Sequence, residues 1–547
     1  MYFSGFINVT FIIFQLTMSK KWPQIQIWIS DNLFFVLSIF FVLSLPFSES
    51  LLSITSALIA LHIFFPVTFR QNFSRVKNNK ALWALSAVFL IYLIGCLFCR
   101  NWSEGLYELK KSIFWIIIPL GVALTSKLSE RKFWLILVVF ISGVTLSTFI
   151  TALKIAFPNL FEISDLRDAS YVSHVSFSLQ IAFSIFLLGY GYMKKVAFIK
   201  NINWPYILMW CLWLLAFLNF QKSLTGIIAL LGSGIVFLSW YILNVGNKLL
   251  KTAGKTAIVA IVTIPFLYVL YVTYNFYHIK DELPDSEILT ESGNKYTFNN
   301  HSKLTENGHY VYWYICYEEL EASWNSIGTI KINENVAEGY DLATTLIRYM
   351  TSKGLRKDSA GVAALSKQDI KNIESGIANY IYYEKRFSIY PRIYQSIWEL
   401  DRYVKTGNPN DQSLSQRIEY MKAALFIIKN NFLGIGTGNN SEKYREAYLK
   451  IDTQLDKQFQ FMAHNQYLSY VVKFGLFGLI LIIFLIYSAI KSEKQTKNFL
   501  IVLLLLIIGL ASMGETTLET HIGLPFFLYF LSLFLWHSPV SQIKSTK

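Results

Sequence analysis

Long apolar runs recur along most of the chain, and they restrict its fold more than any other feature. A helix of ~20 mainly apolar residues can cross a lipid bilayer. Of the 547 residues, 54% are hydrophobic and only 15% are charged, a balance too apolar for a soluble protein. We therefore predict an all-α polytopic membrane protein with about twelve transmembrane helices. The predicted spans are 31–47, 51–67, 81–98, 112–126, 132–153, 174–191, 205–220, 223–243, 256–276, 466–489, 498–513 and 521–537.

Residues 3–17 form one more apolar segment, whose relation to the membrane is open. The sequence Ser19-Lys20-Lys21-Trp22-Pro23 ends this run early, which favours a helix at the membrane interface over a further span. A cleaved signal peptide is not expected, because the basic residues follow the apolar run instead of preceding it.

Lysine and arginine are concentrated in alternate connecting segments, as in 127–132, 194–200 and 248–255. If the N-terminus is cytoplasmic, all of these basic segments face the cytoplasm, as the positive-inside rule requires. Both termini are then cytoplasmic. The net charge of +14 therefore reflects topology. No nucleic-acid partner is indicated, because the basic residues form no single patch.

One long polar segment, 277–461, interrupts the apolar pattern and would face the outside. It is too long for a plain connection and should have structure of its own. The predicted organisation is an N-terminal membrane region, 1–276, with about nine helices, then this loop domain, then a C-terminal membrane region, 462–547, with about three.

The loop is predicted to be mostly helical. In its first half, TIKINENV (Thr329–Val336) alternates like a strand, and a turn and a short helix follow it. In its second half, Ser388–Tyr403 has apolar residues at helical spacing. A further helix is expected to begin near Ser413, since Ser413 and Gln416 fit a capping box.

Two features of the loop could bind an anion. Arg417 lies near the start of this last helix, where a guanidinium could hold phosphate oxygens in a bidentate manner, although a solvated arginine is the commoner case. The sequence GIGTGNN (Gly434–Asn440) could turn backbone N–H groups toward an anion, or could be a simple turn. It is not a dinucleotide-binding motif, because it follows a helix and has no βαβ context.

Polar residues at the predicted outer ends of membrane helices are further candidates. His464 and Asn465 precede the span at 466–489, and a histidine there could be an interfacial anchor or a general base. Lys222, in the short turn FQKSLTG, could extend its ammonium to the interface or bind a phosphate. His174, at the start of another span, is a weaker candidate.

The segments SLSQRIEYMKAALFIIKNNFLGIGTGN and MAHNQYLSYVVKFGLFGL, within Ser413–Leu479, resemble the signature region of the O-antigen ligase and O-antigen polymerase superfamily. This resemblance implies a GT-C-like membrane glycosyltransferase at the periplasmic face of the bacterial inner membrane. Its donor would be a glycan on undecaprenyl pyrophosphate, and its acceptor a lipid A core sugar or another glycan. No cofactor and no metal are implied, and the remaining partner is membrane lipid.

The resemblance also implies roles for individual residues. Arg417 corresponds to the arginine assigned to the donor pyrophosphate, and His464 to the histidine assigned to the acceptor hydroxyl, so both are predicted to be catalytic. Lys222 stands where the family often has a second arginine, which keeps the charge but loses the bidentate fork. Arg392, in YPRIYQ, could supply the missing guanidinium. Substrate binding is predicted for the remaining candidates, which are Asn465, Gly434, Gly436 and His174.

Several functions remain open within and outside this superfamily. A ligase is favoured, because the arginine helix and the His-Asn helix opening lie together in the late loop. A polysaccharide polymerase and a protein O-oligosaccharyltransferase are alternatives with a different acceptor. A transporter or flippase is the alternative from another class. It should show ionisable residues inside spans, or paired interrupted helices, and the sequence shows neither clearly.

Overall fold

The computed structural model describes residues 32–64, 76–157, 169–196, 198–281, 289–299, 301–336 and 339–539, and these are mostly helical. The predicted segment 3–17 lies outside the described residues. In chain order, the helices include α1 (Asn32–Ser44), α2 (Glu49–Leu61), α3 (Lys80–Gly95), α4 (Trp102–Ser112), α5 (Phe114–Ala123), α6 (Glu130–Ala156), α7 (His174–Met193), α8 (Trp204–Phe220), α9 (Leu224–Asn244), α10 (Lys248–Tyr277), α11 (Tyr317–Ile327), α12 (Leu342–Ser352), α13 (Ser359–Ala363), α14 (Lys367–Glu374), α15 (Ile381–Glu384), α16 (Tyr390–Thr406), α17 (Ser413–Asn430), α18 (Asn440–Lys450), α19 (Gln466–Ser492), α20 (Phe499–Ala511) and α21 (Gly523–His537).

The described residues fall into two compact units. The membrane unit comprises the described residues up to Ile258, together with Tyr420–Thr453 and those from Gln460 onward. The loop unit comprises Val259–Glu419 and Gln454–Phe459. The boundaries between the units fall within α10 and α17, so both of these helices belong partly to each unit.

Among the described residues, six helices are long and apolar enough to cross a membrane: Lys80–Phe98 (α3 with a 3-10 turn), α6, α7, α9, α10 and α19. Five further apolar helices are shorter: α1, Glu49–Phe64 (α2 with a 3-10 turn), α8, α20 and α21. These helices confirm the helical membrane-protein class, while the number twelve stays a prediction. At the predicted span 112–126 the chain instead ends α4 and begins α5, a helix of 10 residues with Pro119 inside it.

Helix α21 is buried on nearly all sides and forms the centre of the membrane unit. The ring of Phe530 lies 4.9 Å from that of Phe140 and 5.1 Å from that of Phe183, centroid to centroid. A helix that is apolar all round is stable when other helices surround it. In the turn just before α21, Thr517 and Leu518 are buried as well.

The loop unit has its own core, in which Leu320 and Trp324 of α11 pack with Leu346 and Met350 of α12. A two-stranded antiparallel hairpin, β1 (Thr305–Glu306) and β2 (His309–Tyr310), precedes these helices. The helices predicted after Val336 and at Ser388–Tyr403 are confirmed as α12 and α16.

Helix α14 begins with a reciprocal capping box between Ser366 and Asp369. Burial opposes ionisation of Asp369, but the Lys353 ammonium at 2.7 Å and the Tyr349 hydroxyl at 2.6 Å outweigh it. Together with Ser366 they hold the pKa of Asp369 at about 2. A charged carboxylate therefore ties α14 to α12.

The predicted strand TIKINENV is wrong, because Thr329–Val336 forms turns and a single bridge. In a strand, the backbone N–H groups of this segment would donate to the carbonyl groups of a neighbouring strand. Here they donate to side chains instead. The Glu374 carboxylate accepts from the N–H of Thr329 at 2.6 Å, and the Asn325 side chain accepts from the N–H of Ile332 at 3.0 Å. Alternating hydrophobicity alone did not reveal these acceptors.

Candidate functional site

The predicted proton acceptor, His464, lies at the mouth of a cavity of about 470 Å³ in the membrane unit, here called the site cavity. Its Nδ1 is 3.4 Å from Oε2 of Glu515, and its imidazole is 41% exposed. The Tyr420 ring of α17 lies against it, with 5.7 Å between ring centroids. A carboxylate at this distance can orient an imidazole and stabilise the imidazolium formed when it takes up a proton.

Asn465 fixes the chain beside His464. Its side-chain oxygen caps α19 by accepting from the N–H of Leu468 at 3.0 Å. Its side-chain nitrogen donates to the carbonyl of Met513 at 2.9 Å, in the segment that also carries Glu515. Asn465 therefore holds the segments of His464 and Glu515 together. This gives Asn465 a positioning role, and its predicted substrate contact stays a prediction.

An ion cluster lies deeper in the site cavity. Lys473 is one turn beyond Ser469 on the same face of α19. Its ammonium is 2.8 Å from a carboxylate oxygen of Glu519 and 3.2 Å from one of Glu108, and its side chain is only 5% exposed. The hydroxyl groups of Ser469 and Tyr92 donate to Glu519 at 3.0 and 3.3 Å. We call Lys473, Glu108 and Glu519 the ion cluster.

The two carboxylates of the ion cluster differ in their proton affinity. Burial raises the pKa of Glu108 above its ordinary value, although Lys473 and Asn440 favour its charged form. Burial also opposes ionisation of Glu519, but the nearer Lys473 ammonium outweighs this and holds the pKa of Glu519 below its ordinary value. Glu519 is therefore the carboxylate that neutralises Lys473, and Glu108 is the one that protonates more readily.

Helix α4 supplies one wall of the site cavity. Glu104, Glu108 and Lys111 recur at helical spacing and all line the cavity. The Asn440 side chain donates to Glu108 at 2.6 Å, and the N–H of Ser441 donates to Glu104 at 3.1 Å. The start of α18 thus holds this charged face of α4 in place.

The glycine turn, Gly434–Asn440, packs against a kink in α19. Gly475 interrupts that helix with φ 68° and ψ 175°, which leaves carbonyl groups just before it without helical partners. The N–H of Gly436 donates to the carbonyl of Lys473 at 2.8 Å, and the N–H of Ile435 donates to that of Val472 at 2.9 Å. These contacts give the turn a role in positioning α19, and the predicted substrate contacts of Gly434 and Gly436 stay predictions.

The other predicted residues do not line the site cavity. Lys222 occupies the turn between α8 and α9 with φ 55°, and His174 is the first residue of α7. Of the predicted residues in the membrane unit, only His464 lines the site cavity. Arg417, in the first turns of α17, and Arg392, in α16, belong to the loop unit. Nη1 of Arg392 donates to Gln395 at 3.1 Å.

Sequence reasoning missed the ion cluster. One signal was present, since Lys473 stands alone in the apolar run YVVKFGL, and an ionisable residue inside a membrane helix commonly marks a functional site. A second signal is the helical spacing of Glu104, Glu108 and Lys111, which lie between the predicted spans 81–98 and 112–126. Glu515 and Glu519 had no local pattern that would have indicated them.

Comparison with protein families matches residues 370–483 to the family described as O-antigen ligase. No curated protein matches the chain. The family match confirms the resemblance found in the signature segments. It covers α16, α17, the glycine turn, His464 and the first part of α19 with Lys473. The match supports a function of the O-antigen ligase or polymerase type.

Proposed function

We propose that this protein is an O-antigen ligase-like glycosyltransferase. It would move a glycan from undecaprenyl pyrophosphate to an acceptor sugar, in lipid A core, at the periplasmic face of the inner membrane. The observation that carries this proposal is the place of His464, beside Glu515 at the mouth of a charged cavity and within the segment that matches the O-antigen ligase family.

The proposed reaction is a single displacement at the anomeric carbon of the donor. The acceptor hydroxyl oxygen forms the new glycosidic bond while the bond from carbon to pyrophosphate oxygen breaks, and its electron pair leaves with the pyrophosphate. His464 takes the proton of the acceptor hydroxyl, and Glu515 stabilises the resulting imidazolium. The anomeric configuration would invert.

The charges of the site cavity favour the acceptor sugar as its occupant. Three carboxylates line it, those of Glu104, Glu108 and Glu519, against two lysines, of which Lys473 is already neutralised. Carboxylates accept hydrogen bonds from sugar hydroxyl groups and repel a pyrophosphate. We therefore assign the pyrophosphate to Arg417, helped by Lys222 or Arg392, where a cation would stabilise the charge of the leaving group.

A second, apolar cavity suits the lipid part of the donor. It measures about 380 Å³ and is lined largely by apolar side chains of α19 and α20, including Ile482, Ile486 and Leu505. Leu518 lines both this cavity and the site cavity. A polyprenyl chain lying here would bring its pyrophosphate close to the end of α19 where His464 is found.

In vitro transfer tests the proposal directly. The purified full-length chain is incubated with a lipid-pyrophosphate-linked glycan and with defined acceptors, and the product is followed by mass spectrometry. His464→Ala and Arg417→Ala should each abolish transfer, whereas His301→Ala and Arg445→Ala, at exposed positions, should retain it. Transfer at the wild-type rate by His464→Ala or Arg417→Ala would refute the mechanism.

The acceptor distinguishes a ligase from its closest alternatives. In a strain that lacks this gene, loss of all long-chain glycan from lipopolysaccharide gels would identify a ligase, and glycan limited to one repeat unit would identify a polymerase. Modified protein among the in vitro products would identify a protein O-oligosaccharyltransferase.

A transporter or flippase shares one feature with this structure, the buried Lys473 inside a membrane helix. Movement of the lipid-linked glycan across vesicle membranes, without formation of any glycosidic bond, would favour that class.

A further inference from the structure

The loop unit contains a polar cavity of about 350 Å³, here called the loop cavity. It is lined by Lys280, three residues after the end of α10, by His309 of β2, and by the segment that follows α12, which includes Arg356 and Lys357. All of these residues belong to the loop unit. The loop cavity and the site cavity share no lining residue.

Lys357 is a buried lysine that forms no salt bridge with any described residue. It is 3% exposed, and its backbone is fixed because its N–H donates to the carbonyl of Tyr314 at 3.0 Å and its carbonyl accepts from the N–H of Cys316 at 2.9 Å. Among the described residues, no carboxylate lies within 4.0 Å of its ammonium. Burial lowers the pKa of Lys357 to about 8, so it is mostly charged at neutral pH. A buried ammonium is costly unless an anion pairs with it.

The nearest carboxylates already have other partners. Asp281 accepts from His309 Nδ1 and from the N–H of Tyr310, both at 2.6 Å. Asp358 accepts from the Tyr296 hydroxyl and from the N–H of Gly361, the latter at 2.7 Å. These hydrogen bonds orient the carboxylates toward groups other than Lys357.

Two more cations face the same space. Lys280 and Arg356 line the loop cavity and are both exposed. With Lys357 they make three cationic side chains against the single lining carboxylate of Asp281. Positive charge is therefore in excess at this cavity, and an anion of one or two charges would balance it.

The cavity also has an aromatic wall. The Tyr314 ring lines it, and the Arg356 guanidinium lies 5.1 Å from the centre of that ring. Tyr314 is held at φ 55°, a left-handed conformation that side-chain-bearing residues rarely adopt and that marks functional sites more often than chance. A flat aromatic face is suited to packing against the C–H face of a sugar ring.

We propose that the loop cavity binds an acidic saccharide, whose carboxylate or phosphate is held by Lys357, Arg356 and Lys280 while Tyr314 packs against the sugar ring. The anion site stands on the loop cavity alone. That the saccharide is part of the donor or acceptor glycan rests on the proposed function.

Calorimetric titration of the purified full-length chain tests this inference at pH 7. The probes are glucuronic acid, glucose 6-phosphate, inorganic phosphate and glucose. We expect one or both acidic sugars to bind, and to bind more tightly than inorganic phosphate and glucose. Binding of glucuronic acid alone assigns a carboxylate to the site, and binding of glucose 6-phosphate alone assigns a phosphate.

Lys357→Met keeps the length of the side chain and removes its charge, so we expect affinity for the acidic sugar to fall about tenfold or more. Arg356→Gln, at an exposed position, should weaken binding in the same direction. The control Lys367→Met removes an exposed lysine of α14 and should bind as the wild type does. Equal affinity in Lys357→Met and wild type, or no binding of either acidic sugar, would overturn the proposal.

The titration involves no glycosyl transfer, so it is independent of the proposed function. A chain that binds an acidic sugar but transfers no glycan would retain the loop cavity as a site and remove the proposed function. If the chain transfers glycan but binds acidic sugars equally well after Lys357→Met, the proposed function is retained and the loop cavity is removed as a site.

Discussion

Replacing Lys473 by methionine should strongly destabilise the membrane unit. The substitution keeps an unbranched side chain of similar length but removes the ammonium that lies 2.8 Å from Glu519 and 3.2 Å from Glu108. Two carboxylates would then face each other in a largely buried space. Glu519 would lose its compensating charge, and each carboxylate would have to take up a proton or remain unpaired.

The size of the effect follows from these distances. At about 3 Å and an effective dielectric constant of about 20, each ion pair is worth about 5–6 kcal/mol, before the cost of removing the charges from water is subtracted. Removing one partner of a buried pair costs about 3–5 kcal/mol, because a charge is left uncompensated. We expect Lys473→Met to lie in that range. Adding Glu519→Gln to Lys473→Met should recover part of the loss, since the amide carries no charge.

Thermal unfolding in detergent, followed by tryptophan fluorescence at one fixed heating rate, measures this effect. Membrane proteins often unfold irreversibly, so the comparison must keep the heating rate and detergent constant. Lys491→Met is the matched control, because Lys491 is an exposed lysine near the other end of α19. If Lys473→Met unfolds at the same temperature as Lys491→Met, the ion cluster contributes nothing to the stability of the membrane unit. If the double variant is no more stable than Lys473→Met, unpaired carboxylates are not the cause.

Three further changes have definite expected results. Gly475→Ala would place a Cβ about 2.6 Å from the carbonyl oxygen of Phe432 at φ 68°. It should lower the unfolding temperature by the equivalent of about 1–3 kcal/mol, whereas Gly246→Ala, whose Cβ would meet no atom within 4 Å, should not. Affinity of the loop cavity for glucuronic acid should fall as the pH rises through about 8, because Lys357 loses its proton there, and titrations at pH 7 and 9 measure this. Asp369→Asn should destabilise α14 by about 2 kcal/mol at pH 7, which faster amide hydrogen exchange in α14 would show. The difference from wild type should vanish as the pH falls from about 4 toward 2, because the wild-type carboxylate is then protonated and no longer charged.

Local patterns predicted the helices well, because each depends on its own residues. Periodicity placed α12 and α16, and the apolar run after Gln466 placed α19. The kink in α19 was not predictable in this way. It requires the glycine turn, which comes about forty residues earlier in the chain, to supply the N–H groups that pair with the released carbonyls.

The candidate site was predictable only in part, because most of its contacts join residues that are distant along the chain. His464 and Asn465 are neighbours at a helix opening, so one short motif reveals both. The ion cluster draws Glu108, Lys473 and Glu519 from three separate segments, and no spacing along the chain relates them. Folding alone brings them together, and a sequence pattern could indicate only the isolated lysine.

The glycine turn contacts Lys473, which is also the cation of the ion cluster. This contact links the glycine turn, which lies within the segment that matches the O-antigen ligase family, to the site cavity. The turn holds the backbone carbonyl of Lys473 through the N–H of Gly436. The side chain of Lys473 in turn holds Glu108 and Glu519, two of the three carboxylates that line the cavity of His464. A substitution in the glycine turn that shifts the backbone of Lys473 would therefore also shift Glu108 and Glu519 in the site cavity. Such a change should lower both stability and glycan transfer, whereas His464→Ala should abolish transfer and leave the unfolding temperature nearly unchanged, because the imidazole is 41% exposed.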